Sequence, residues 1–129
     1  MTSAYDLLRQ RCGLSQQEAA DLHKVRLDTV KSWCSDRRHA PDGVIDELRG
    51  LYEKINADAV RMVEAISKTD PDLVIEVGLA ADDAEAQSKG WPCVGAQAAA
   101  IGLVIARIRN PVVIEPLEST VASVGGSGK

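Results

Sequence analysis

Five of the seven lysines and arginines that precede Asp42, namely Lys24, Arg26, Lys31, Arg37 and Arg38, fall within fifteen residues. Cations at this density bind phosphate oxygens and release counterions. Gln16, Leu27, Asp28, Ser32 and His39 stand among or beside them. Amide, hydroxyl, carboxylate and apolar side chains are the types that read base edges in a duplex groove. The chemistry on offer is therefore noncovalent. Asp82, Asp83 and Glu85 make a plain acidic helix start, the glycines form no phosphate loop, and no nucleophile stands beside a base, so no enzyme is expected. Cys12, Cys34 and Cys93 are odd in number and contain no Cys-x-x-Cys pair, which reads as reduced thiols without a disulfide or zinc site. His23 has no second ligand at a metal-binding spacing and reads as a surface or capping side chain. Neither metal nor cofactor is expected.

The elements that must position these groups are legible in the apolar phase. Leu14, Ala19, Ala20 and Leu22 make one helical face, Val25 interrupts it, and Val30 with Trp33 opens another. Two short helices thus share a core at a steep angle. Ser15 and Glu18 form a Ser-x-x-Glu capping box for the first helix, and a turn fits His23 to Arg26. Asp28 and Thr29 favour the start of the second, from about Leu27 to Cys34 or Ser35. Upstream, Ala4, Leu7, Leu8 and Cys12 fit a bracing helix that Gly13 ends. Downstream, apolar residues at spacings of three and four predict one helix from Asp42 to Lys68. Its first half closes the small helical domain and its second half is expected to project toward a partner. Trp33 belongs to the core, and Cys34 reads as an unreactive thiol rather than a redox switch.

The unbroken stretch Leu14, Ser15, Gln16, Glu18, Ala20, Val25, Thr29, Val30, Trp33, Pro41 resembles the Cro/CI-type, or XRE, helix-turn-helix family over 28 residues. The resemblance implies a lambda-repressor-like domain whose second helix enters the DNA major groove. It departs where the family often has glycine and this chain has Lys24: either Lys24 takes a left-handed conformation or the turn differs. A sparser pattern of Trp33, Arg37, Pro41-Asp42, Val44, Leu48, Ile66, Trp91 and Gln97-x-Ala-Ala resembles the compact repressors associated with anti-CRISPR operons. That likeness implies repression of the protein's own operon.

With the second helix in the groove, Leu27, Asp28, Lys31 and Ser32 are the candidate base contacts. Lys31 suits guanine O6 and N7, and Leu27 a thymine methyl. Asp28 either accepts from a cytosine amine or caps the helix, with capping the more favoured role. Ser32 reaches a base or a phosphate. Arg26, Arg37, Arg38 and His39 are the candidate backbone contacts. The resemblance adds Gln16 as a phosphate contact. The plain alternative is a solvated basic loop.

The remainder sets the frame. The 129 residues are 45% hydrophobic with a net charge of −4, yet the charge is polarised: residues 1–41 carry seven basic against five acidic side chains, and the rest eight against fourteen. With 3% aromatics and no phenylalanine, the core must be aliphatic, which suits helices. No run of about eighteen apolar residues exists and no leader is apparent, so a cytoplasmic protein without a membrane partner is expected. The fold class expected is mainly α, with residues 1–68 as the helix-turn-helix domain, 69–122 as a small α/β dimerisation portion, and 123–129 as a disordered tail. Leu73 to Val77 and Val112 to Ile114 read as strands, Asp82 to Lys89 as a polar helix, and Val94 to Arg109 as a helix apolar on nearly all sides that must be buried on more than one face. The leading expectation is a homodimeric regulator, more readily a repressor, reading an inverted repeat in double-stranded DNA. A protein-binding adaptor, an antiactivator or an antitoxin, using the C-terminal portion, is the alternative. RNA binding stays open, although no aromatic platform for single-stranded bases is present.

Overall fold

The computed structural model describes residues 2–117. The chain is mainly helical, in the order α1 (Ala4–Arg11), α2 (Gln16–His23), α3 (Leu27–Cys34), α4 (Asp42–Ser67), β1 (Ile75–Leu79), α5 (Asp83–Ser88), α6 (Val94–Arg107) and β2 (Val112–Pro116). The two strands pair in parallel, with Ile75 opposite Val112 and Leu79 opposite Pro116, so α5 and α6 form the crossover between them. No helix among the described residues is long and apolar enough to cross a membrane. The tail expected from residue 123 lies outside the described residues.

The capping box is present: the Glu18 N–H donates to Ser15 Oγ at 3.0 Å and the Ser15 N–H to Glu18 Oε1 at 2.8 Å. Helix ends share one device. After α1, α2, α3 and α5 a residue adopts positive φ, Gly13 at 74°, Lys24 at 61°, Asp36 at 64° and Gly90 at 91°. The N–H of the next residue then donates back into the last turn: Leu14 to Arg9, Val25 to Ala20, Arg37 to Ser32 and Trp91 to Ala86. These bonds satisfy carbonyls that a helix end otherwise leaves unpaired. Lys24 therefore takes the left-handed conformation despite its Cβ, at a cost of about 1–2 kcal/mol that the returning bonds offset.

Two expectations are corrected. The second half of α4 does not project: its apolar stripe continues through Ala59 and Ile66, which are buried against Val104 of α6 with Met62, Val63, Leu103 and Ile108 around them. The division expected at residue 68 does not divide the packing either. One core runs from Tyr5, Leu14, Ala20, Val30, Trp33, Leu48 and Ile55 through Ala80, Ala86, Trp91, Ala96 and Ala100. The reason is a backbone approach that only glycine permits: a Cβ on Gly13 would land on the carbonyl of Gly95, and one on Gly95 on the carbonyl of Gly13. The turn after α1 thus seats directly on the start of α6.

Side chains then lock the crossover. Gln97 of α6 accepts the Ala80 N–H at 2.9 Å and donates to Gly78 O at 3.3 Å, completing the end of β1 as a neighbouring strand would. Asn110 donates to the carbonyls of Asp70 and Leu73, tying the approach to β2 onto the turn after α4. Helix α6 buries Ala96, Ala100, Ile101 and Val104 but leaves Ala98, Gly102, Ile105 and Ala106 exposed. Within one chain it is covered on one side, not on several as its composition suggests.

Candidate nucleic-acid interface

Helix α3 is two turns long, and its inner face is fixed from every side. Val30 is fully buried, and Trp33 meets Tyr5 edge-on at 5.4 Å between ring centres. Ser3 binds the end of α3 to the start of α1: its Oγ donates to Trp33 O at 2.6 Å while accepting the Asp6 N–H, and its N–H donates to Cys34 O. Residues Arg26, Asp28 and Lys31 are left on the outer face, all exposed.

The loop after α3 is folded back rather than splayed. Asp36 in the left-handed region turns the chain so that the N–H groups of Arg37 and Arg38 both donate to Ser32 O, at 3.0 and 3.2 Å. Both guanidiniums are thereby set beside the helix. Arg26, Asp28, Thr29, Ser32, Arg37 and Arg38 line one open concavity of about 410 Å³. Three positive charges around one concavity, with a single carboxylate, suit a phosphate oxygen. At the start of α3 the N–H groups of Thr29 and Val30 donate to Arg26 O, and the Arg26 side chain makes no cap bond; the positive end of the helix dipole there also favours an anion.

The expected site residues divide as follows. Arg26, Asp28, Arg37 and Arg38 come together at the concavity. Lys31 is exposed on the same helix outside the concavity, Leu27 is half-buried at its start, and Gln16 is half-buried at the start of α2. His39 is exposed but opens onto a separate cleft with Ser3, Trp33, Asp36, Asp42 and Arg49. Asp28 does not cap the helix: Arg26 occupies that place and makes no side-chain cap bond. Ser32 is corrected as a base contact. It is 4% exposed, its hydroxyl donates to Thr29 O at 2.6 Å, and it forms the floor beneath the arginines. Helical phase puts it one turn from Thr29 and beside Trp33, on the inward side. Thr29 is a lining residue that sequence reasoning used only as a helix former. Its spacing of three from both Arg26 and Ser32 was the available signal.

His23 is corrected as well. Its side chain is completely buried, with Nδ1 2.7 Å from Glu47 Oε1 and Nε2 2.9 Å from the Tyr5 hydroxyl, and its ring lies 6.0 Å from that of Trp33. Cys34 is buried, and burial together with the neighbouring Asp6 carboxylate pushes its thiol up, as an inert thiol requires. For Asp6, burial opposes ionisation, but hydrogen bonds with Cys34, Arg9 and Gln10 and the charge of Arg9 outweigh it and hold the carboxyl below its ordinary value. Arg9 carries the pairing onward by donating to Leu14 O at 2.6 Å. Among the described residues no group of histidine, cysteine and acidic side chains is arranged to hold a metal ion. Compared with known proteins, the chain matches no family model and no curated sequence.

Proposed function

We propose that this protein is a sequence-specific DNA-binding regulator with a lambda-repressor-like helix-turn-helix, acting in the cytoplasm as a repressor of its own operon. The observation that carries the reading is the arginine-lined concavity at one end of a short helix whose opposite face is locked in the core. In this reading α3 lies in the major groove. Lys31 donates to guanine, Leu27 touches a thymine methyl and Asp28 faces a cytosine amine. Arg26, Arg37 and Arg38, with Thr29 beside them, hold phosphates, and Gln16 at the start of α2 holds another. A homodimer reads the two halves of an inverted repeat. What supports a second copy is the distribution of exposed large hydrophobics among the described residues: apart from Leu7 of α1, they are Val60, Leu73, Val74, Ile105, Val113 and Ile114, all from the far half of α4 onward.

The test is binding to the duplex segment upstream of the protein's own coding sequence. Lys31→Ala is expected to weaken that duplex about tenfold or more while leaving random duplex nearly unchanged. Arg37→Ala is expected to weaken both and to reduce the salt dependence by about one phosphate contact. Wild-type affinity that is unaffected by either substitution would refute groove docking through α3. It would favour an adaptor that binds a protein through the acidic second half.

A further inference from the structure

The Tyr5, His23 and Glu47 chain crosses the helical half of the molecule just beneath α3, and neither the interface nor helix capping uses it. A carboxylate only accepts, so at 2.7 Å from Glu47 the His23 Nδ1 must carry the proton. In the neutral ring Nε2 is then an acceptor, and the Tyr5 O–H donates to it at 2.9 Å. Burial also pushes the Tyr5 hydroxyl above its ordinary range, keeping it a donor. Each group has one role and the roles are not interchangeable.

We infer that this relay is a positioning device: Glu47 pins His23 as the Nδ1–H tautomer, and the pinned ring and Tyr5 together set the seat of Trp33 and hence the angle at which α3 is presented. The three rings pack mutually, with centroids 5.4 to 6.0 Å apart. They come from α1, α2 and α3, while Glu47 anchors them to α4. Asp6, Arg9 and Cys34 are the other charged or titratable groups beside Tyr5, and they are paired among themselves. Among the described residues Glu47 is the group placed to fix the proton on Nδ1. Glu47 is 44% exposed at its side chain, so it can be changed without opening the core. Its effect on DNA rests on the function proposed above.

The experiment uses the full chain labelled with nitrogen-15. Long-range proton–nitrogen spectra report which ring nitrogen of each histidine is protonated, and exposed His39 serves as the unpinned reference. Wild type and Glu47→Gln, whose side-chain carbonyl still accepts, are expected to show His23 protonated at Nδ1. Glu47→Ala is expected to lose that preference and to shift the amide signals of α3. Both substitutions remove the same charge, so their comparison isolates the hydrogen bond. On the upstream duplex, Glu47→Ala is expected to bind about fivefold more weakly than Glu47→Gln. A His23 protonated at Nε2 in the wild type, or α3 signals and affinity equal in the two variants, overturns the inference. If the tautomer and the α3 shifts follow Glu47 but the wild type binds no duplex, the relay stands and the DNA-binding function falls.

Discussion

Replacing Gly95 by alanine tests the claim that the two halves of the chain share one core. In a free helix the change is stabilising, because glycine costs about 0.5–1 kcal/mol relative to alanine in a helix interior. Here the added methyl meets the carbonyl of Gly13, a backbone atom that cannot rotate away. Forcing extra volume into such a contact costs about 1–3 kcal/mol, and a backbone neighbour places it at the upper end. The sign is therefore reversed by the tertiary contact. Gly50, exposed in α4 with open space around it, is the matched control, and Gly50→Ala is expected to stabilise by about 0.5–1 kcal/mol. At roughly 4 °C per kcal/mol for a chain of this size, thermal melts should separate the two substitutions by about 10 °C or more. Gly13→Ala is expected to be worse than Gly95→Ala, since φ of 74° adds backbone strain to the collision. A Gly95→Ala protein that melts at or above the wild-type temperature would refute the seating of the α1–α2 turn on α6.

Other consequences follow from the buried thiols and polar ties. Cys12, pushed up to about 11 by burial, keeps its proton where the unfolded thiol has lost it. Its contribution is full below the unfolded thiol's value of about 8.5 and is lost as pH rises from there through about 11. Urea denaturation should thus weaken across this window, and a thiol reagent should label none of the three cysteines before unfolding. Asp6 acts at the other end: its lowered carboxyl contributes stability above about pH 3.9 that is lost as pH falls through its folded value. Asp6→Asn should flatten that acid limb in a denaturation series, and an unchanged limb would assign it elsewhere. Gln97→Leu leaves the Ala80 N–H without its acceptor, and chemical denaturation should register a loss of about 1–3 kcal/mol.

How much of this was legible in the sequence varies with the range of the interaction. The capping box at Ser15 and Glu18, the span of α3 and the length of α4 follow from neighbours within one turn, and sequence spacing captures them. Ser32 shows the limit even at short range. A serine following a lysine on a two-turn helix looks available, yet its phase beside Trp33 turns it inward, and the returning loop of Arg37 and Arg38 closes over its carbonyl. His23 shows the limit at long range, for its partners lie 18 and 24 residues away and no local pattern links them.

The chain's local chemistry determined where its first helices begin and end, which side chains gather positive charge, and that aliphatic helices would build the core. Capping, helical phase and charge are properties of a few adjacent residues, so they can be read in one dimension. Tertiary structure alone decided that α6 covers the far half of α4, that Gly13 and Gly95 meet, and that three arginines converge on one concavity. Each of these depends on the angle and separation of elements distant in sequence, and those are set by how the buried side chains of all of them fill a single shared volume.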